Sequence, residues 1–277
     1  MECKVRDLNV YYEEVGSGMP VLMLHGGGGD HRYMFHHMEP VFKNRDGWRR
    51  LYPNLPGHGK THRADWITSQ DHMLDVALEF MDAIAPGERF AVAGFSYGGY
   101  LARGVVYRRA AQLDGLLLFA SSIVNEAGKS KVPKHRVLRE DADFLAALTT
   151  DEQDLREIYV AQSMDVLEVF RNTLAPAFAV ADHEFLRGLD PSFTFEVDSL
   201  AEPFPAPTLI LTGRYDPWCG YQNAYEILDN YPRGTFVVMD RAGHGLADEQ
   251  QTLFRALVGE WLDRVEEYAF NTSRHRS

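Results

Sequence analysis

Short apolar runs and longer amphipathic runs alternate along most of this chain. The apolar runs predict strands near 9–15, 21–25, 49–53, 89–94, 114–119, 207–212 and 235–239. Apolar positions recurring at helical spacing predict helices near 31–43, 70–85, 98–111, 220–230 and 248–267. Strands that alternate with helices imply right-handed crossovers and a parallel sheet covered on both faces. Ligands of such sheets bind beyond the carboxyl ends of the strands, so the chemistry is sought in the loops that follow them.

The alternation breaks between about Ser122 and Pro203. A polar linker, Val124 to Pro133, leads into helical patterns near 139–148, 151–162, 164–174 and 182–188, with no strand among them. The pattern therefore divides the chain into a core of residues 1–121 and 204–277 and a helical insertion of residues 122–203. The large apolar side chains of the insertion, Phe144, Tyr159, Met164, Phe170, Phe178 and Phe185, are expected mostly to hold its helices together. Phe144 and Phe178 are the two first assigned to a substrate pocket, with Tyr33 and Trp218 contributed by core loops.

Four of the strand-end loops carry candidate chemistry. Gly94-Phe95-Ser96-Tyr97-Gly98-Gly99 joins an apolar strand to an amphipathic helix. A turn that sharp needs glycine on both sides and presents the serine hydroxyl at the strand tip, near a helix N-terminus. A serine hydroxyl becomes a nucleophile only when a base takes its proton and an acid orients that base. Of the two histidines in the last quarter of the chain, His275 lies in a polar tail, whereas His244 sits between glycines after the strand 235–239. His244 is the expected base. Asp216 follows the strand 207–212 and is the expected acid; Asp240, in the histidine's own loop, and Asp198, with no strand before it, compete less well. His25-Gly26-Gly27-Gly28-Gly29 follows the strand 21–25, and its amides suit an oxyanion. Gly27 is the first choice for the loop donor and Gly28 the second, with the Tyr97 amide as the other donor.

These residues, with Asn54-Leu-Pro-Gly-His-Gly59 after the third strand, resemble the α/β-hydrolase family over nearly the whole chain. The resemblance implies an eight-stranded, mostly parallel sheet with helices on both faces. It further implies a helical cap over the site and a Ser96–His244–Asp216 triad. His-Gly-Gly-Gly and Gly-Arg-Tyr-Asp are similar to proline iminopeptidases, although Asn-Leu-Pro-Gly-His-Gly departs from their Asp-Gln-Arg-Gly. Carbon–carbon bond hydrolases are similar in outline but carry Gly-Asn-Ser-Met-Gly and a tryptophan after the histidine, where this chain has Gly245. The expected function is hydrolysis of a small-molecule carboxylic ester or lactone by acyl transfer. An aminopeptidase, a carbon–carbon hydrolase and a non-catalytic ligand receptor are the alternatives.

Composition narrows the partners. Forty acidic residues against 28 Lys and Arg give a net charge of −12, which argues against nucleic acid and anionic membranes. Two cysteines, Cys3 and Cys219, make no disulfide framework, and the start carries no basic and apolar leader, so a cytoplasmic setting is expected. No apolar run reaches the ~20 residues of a membrane span. Gly59-Lys60-Thr61 resembles the end of a phosphate-binding loop, but Asn54 stands where that loop needs glycine. His31, His36, His37 and His58 match no zinc spacing and are expected to be solvent-facing or at a pocket rim. Arg32, Arg63 and Arg214 are expected to be surface cations, and neither metal nor organic cofactor is called for.

Overall fold

The computed structural model describes residues 1–124 and 130–274; part of the polar linker and His275 lie outside the described residues. Eight strands form one sheet: β1 (Glu2–Val5), β2 (Leu8–Gly16), β3 (Met19–Leu24), β4 (Trp48–Pro53), β5 (Phe90–Phe95), β6 (Leu113–Phe119), β7 (Thr208–Gly213) and β8 (Gly234–Met239). They lie in the order β1-β2-β4-β3-β5-β6-β7-β8. The β1–β2 and β2–β4 pairs are antiparallel and every later pair is parallel. This is the α/β-hydrolase sheet that the resemblance implies.

Helices cover both faces because successive residues of the central strands point to opposite sides. From β3 and β5, Leu22, Leu24, Phe90 and Val92 enter a core with α2 (Gln70–Ile84) and α3 (Tyr97–Arg109). Val21, Met23, Ala91, Ala93 and Phe95 enter the opposite core, with α1 (His31–Phe42) and a long C-terminal helix, Gln251–Arg274. Strand β1 escapes the hydrophobic pattern because it is an edge strand whose residues alternate between exposed and buried.

The insertion is less helical than its pattern predicts. It contains α4 (Ala142–Ala147), α5 (Leu155–Ile158), α6 (Met164–Asn172), α7 (Leu174–Phe178) and α8 (His183–Gly188). The helix expected over 151–162 stops at Ile158 because the next backbone donors are used elsewhere. The N–H groups of Val160 and Ala161 donate to Glu249 Oε1 at 2.6 and 2.9 Å, rather than to carbonyls four residues back. The helix expected over 164–174 ends at Asn172, whose carbonyl the ring of Pro176 crowds from four positions on, and a short new helix begins after Thr173. Beyond α8 the chain runs back over α3, where Phe193 stacks on Tyr100 at 4.4 Å and Phe195 on Tyr107 at 4.3 Å.

Arg103 anchors the start of the insertion to the core. It is fully buried on α3, donates to the carbonyls of Ser122 (3.0 Å) and Ile123 (2.6 Å), and pairs with Asp198. That pairing removes Asp198 from consideration as the acid. Arg103→Ala strands one carboxylate and two carbonyls, and is expected to lower unfolding stability by about 2–3 kcal/mol, read from the urea midpoint.

Candidate active site

Ser96 stands between β5 and α3 with φ +52° and ψ −117°, a conformation that side chains rarely adopt. The turn closes only because its neighbours lack side chains. A Cβ on Gly98 would lie 2.1 Å from the Leu24 carbonyl oxygen, and one on Gly94 2.4 Å from that of Gly98. The Ser96 hydroxyl makes no helix-capping bond, which leaves it free to face another loop.

It faces His244. Ser96 Oγ lies 3.0 Å from His244 Nε2, and His244 Nδ1 lies 2.9 Å from Asp216 Oδ2. An ionised carboxylate can only accept, so the proton sits on Nδ1 and Nε2 is left to accept from the serine. The second oxygen of Asp216 accepts from the amides of Trp218 (2.8 Å) and Cys219 (2.9 Å), which fixes the fully buried carboxylate against the imidazole. Burial acts to lower the His244 pKa, but the charge and hydrogen bond of Asp216, with Cys219 acting in the same direction, together outweigh it, and the net shift is upward. Asp240 is exposed and makes no contact with the histidine ring.

The glycine loop after β3 is held by His25, the first residue of its motif, and by His58, which was expected at the surface or a pocket rim. His25 Nε2 accepts from the Leu55 amide at 3.0 Å, and His58 Nε2 accepts from the Gly28 amide at 3.0 Å. Burial, with the neighbouring His58 ring acting in the same direction, pushes the pKa of His25 down to about 3, and burial takes His58 down to about 4. Both rings are therefore neutral acceptors inside the loop, not rim residues. The bond to His58 occupies the Gly28 amide, whereas the amides of Gly27 and Tyr97 have no acceptor among the described residues. Gly28 thus gives way to Gly27 on geometry.

A largely apolar cavity of about 310 Å³ opens over the serine. Gly27, Ser96, Tyr97 and His244 line it on the core side, with Tyr33 and Trp218 from neighbouring loops and Phe178 from the insertion. Phe144 does not reach it. That side chain is fully buried with Leu155, Tyr159, Val166 and Leu167, because α4 turns it into the insertion's own apolar cluster. Tyr159 and Phe170, read from sequence as packing residues, line the cavity instead.

Asp248 also lines this cavity and belongs to a polar cluster that no sequence pattern signals. His37, expected near solvent, is buried with Nε2 2.6 Å from Asp248 Oδ1. The other Asp248 oxygen accepts from Tyr33 (3.4 Å) and from Tyr159 of the insertion (3.3 Å). Next to it, Glu249 accepts from Val160 and Ala161 with one oxygen and from Gly243 (2.6 Å) with the other. Adjacent carboxylates therefore fasten the insertion to the loop that carries His244. Nothing in the spacing of these residues signals the contact, since the partners are up to 215 positions apart.

The remaining candidates have local partners. Arg32 pairs with Asp30, Arg63 with Asp182, and Arg214 stacks over Tyr221. Lys60 lies over the Tyr11 ring at 4.2 Å, beside a tight turn closed between His58 and Thr61. Asp216, Cys219 and His244 bring three metal-ligating atoms within 4.8 Å of one another, but the first and third are already joined to each other. No helix among the described residues is long and apolar enough to cross a membrane.

Residues 21–257 match the model of the alpha/beta hydrolase family. Among curated proteins, the chain is 24% identical to a pimeloyl-[acyl-carrier protein] methyl ester esterase of Legionella pneumophila, over 92% of this chain and all of the relative. It is 26% identical to a 2-hydroxy-6-oxo-6-(2'-aminophenyl)hexa-2,4-dienoic acid hydrolase of Metapseudomonas resinovorans, over 91% of this chain and 87% of that one. Among solved structures, an alpha/beta superfamily hydrolase of Oenococcus oeni superposes with a TM-score of 0.87 at 26% identity, covering 96% of this chain and 99% of the other. With the sheet order, the serine elbow and a family match across most of the chain in agreement, the protein belongs to the alpha/beta hydrolase family of enzymes.

Proposed function

We propose that the protein is a serine hydrolase that cleaves a small-molecule carboxylic ester or lactone by acyl transfer. The observation that carries this reading is the hydrogen-bonded chain Ser96–His244–Asp216 beneath a largely apolar cavity. His244 takes the Ser96 proton as the oxygen attacks the substrate carbonyl, and Asp216 holds the imidazole tautomer and steadies the cation that forms. The Gly27 and Tyr97 amides receive the oxyanion, each worth about 3–4 kcal/mol to the transition state. Protonated by His244, the alcohol departs, and water activated by the same ring then releases the acid from Ser96.

The esterase among the relatives supports the ester assignment, and the dienoic acid hydrolase keeps a carbon–carbon substrate as the second reading. One experiment separates the ester reading from the aminopeptidase and receptor alternatives. The protein is offered a panel of short acyl esters, lactones and aminoacyl amides, and a fluorophosphonate probe, beside Ser96→Ala. The expected result is ester or lactone turnover and labelling of Ser96 alone on peptide mapping. Labelling without turnover of any ester or lactone overturns the hydrolase assignment.

The upward shift at His244 fixes the direction of the pH profile. The base must be neutral to accept a proton, so kcat/KM falls as the pH drops through the His244 pKa. The acid limb is therefore expected above pH ~6.5, the ordinary histidine value, and Asp216→Asn is expected to move it to lower pH in whatever activity survives. A limb below pH ~6 in the wild type, from rates measured between pH 5 and 9, contradicts the assignment of His244 as the base.

A further inference from the structure

A second cavity, of about 610 Å³, lies on the far side of the glycine loop from the one that holds the serine. The two share Gly27, Tyr97 and Phe178, so one ligand can reach both by passing the proposed oxyanion amides. Phe178 forms the partition: a Cβ on Gly28 would lie only 2.8 Å from its ring. The second cavity differs in chemistry from the first. Arg187 and the Gln70 amide offer it donors, and no aspartate or glutamate lines it, in a chain with 40 acids against 28 Lys and Arg.

Two donors of this cavity are unspent. Arg187, exposed near the end of α8, has no carboxylate partner among the described residues. Gln70 accepts the Tyr97 hydroxyl on Oε1 at 2.5 Å, which turns its amide nitrogen outward from that bond as a free donor. His183 donates from Nε2 to the Phe178 carbonyl at 2.8 Å and so steadies the partition itself. Leu186 and Leu189 supply apolar wall between these groups and the glycine loop. A guanidinium with its fork open, above a short apolar stretch, fits a carboxylate at the end of an alkyl chain.

His244 sets the orientation. The leaving alcohol must take its proton from His244, which lines the first cavity and not the second. The alcohol therefore lies in the first cavity, and the acyl chain passes Gly27 and Tyr97 into the second. From this we infer that the preferred substrates are monoesters of dicarboxylic acids, with the free carboxylate held by Arg187. This inference rests on the serine-hydrolase reading given above.

The test compares 4-nitrophenyl half-esters of glutaric to suberic acid with neutral 4-nitrophenyl esters of the same chain lengths. In Arg187→Met, kcat/KM for the half-ester of best-fitting length is expected to fall at least tenfold, mainly through KM. Neutral esters should change less than twofold, and Arg187→Lys should recover part of the loss by restoring the charge without the fork. A fall shared equally by both series, or no fall in either, overturns the inference. So does a selective loss confined to esters that carry the anion on the alcohol, such as 4-butanoyloxybenzoate against its benzamide counterpart. A binding measurement keeps the cavity testable if turnover is absent. By calorimetry, monomethyl suberate should bind Ser96→Ala at least fivefold more tightly than it binds the Ser96→Ala, Arg187→Met double variant, with dimethyl suberate binding both alike. Equal binding of the monoester also overturns the inference. Absence of any hydrolysis in the wild type, with the binding difference intact, instead removes the serine-hydrolase reading alone.

Discussion

Replacing Ser96 by alanine is expected to lower kcat for ester hydrolysis by about 10⁶-fold while leaving the fold intact. The size follows from how triads behave: once the nucleophile is gone, the base and acid have nothing to activate, so the loss approaches that of the whole set. What survives comes from the Gly27 and Tyr97 amides and from substrate binding. The stability expectation has a separate basis. The serine makes no capping bond, and its φ of +52° is as uncomfortable for alanine as for serine, so unfolding stability should change by less than about 0.5 kcal/mol. Rates on the ester that the panel selects, beside an unfolding curve, check both halves. More than a few per cent of wild-type activity in Ser96→Ala would remove the serine from the mechanism.

Asp216→Asn is expected to cost about 10⁴-fold in kcat, through the tautomer rather than through folding. The asparagine amide offers a donor where His244 needs an acceptor, so the ring proton relocates to Nε2 and that nitrogen can no longer accept from Ser96. The two backbone amides of Trp218 and Cys219 still find an oxygen in the asparagine side chain, provided that it orients its carbonyl toward them. Asp240→Asn provides the contrast. Its side chain is exposed at the end of β8, and the change should alter kcat less than threefold. If the two variants rank in the opposite order, the acid role belongs to Asp240.

The parts of this architecture that were legible in the sequence are those governed by local pattern. Buried central strands such as Val21-Leu-Met-Leu24 and Pro207 to Thr212 are continuous apolar runs, since both faces are covered, and they stand out from their surroundings. Ser96 and Asp216 follow such strands and His244 follows the half-buried edge strand β8, so strand-end position was enough to single out residues whose side chains meet across 148 positions of chain. The insertion was read less well for the opposite reason. Its segments are short, and their ends are decided by partners far along the chain: Glu249 stops one helix at Ile158, and no periodicity within 151–162 encodes that. Phe144 and Tyr159 look alike in sequence, yet one is sealed inside the insertion and the other lines the cavity. His25, His37 and His58 were opaque because a neutral buried histidine and an exposed one have the same spacing. Only burial and the loop amides that they serve tell them apart.

The paired carboxylates after the histidine loop bear on how freely this enzyme's roof can be exchanged for another. In an engineered or evolutionary swap, the core treats the incoming segment as acceptable only if it supplies backbone donors where Val160 and Ala161 now stand and a hydroxyl in place of Tyr159. A graft lacking them leaves Asp248 and Glu249 short of donors, and Glu249 is the same side chain that anchors Gly243 beside His244. Compatibility between roof and core is thus written into three consecutive residues of one and two of the other. Chimeras joined anywhere outside residues 159–161 should keep an ordered histidine loop, while those that replace the tripeptide with a helical turn should not.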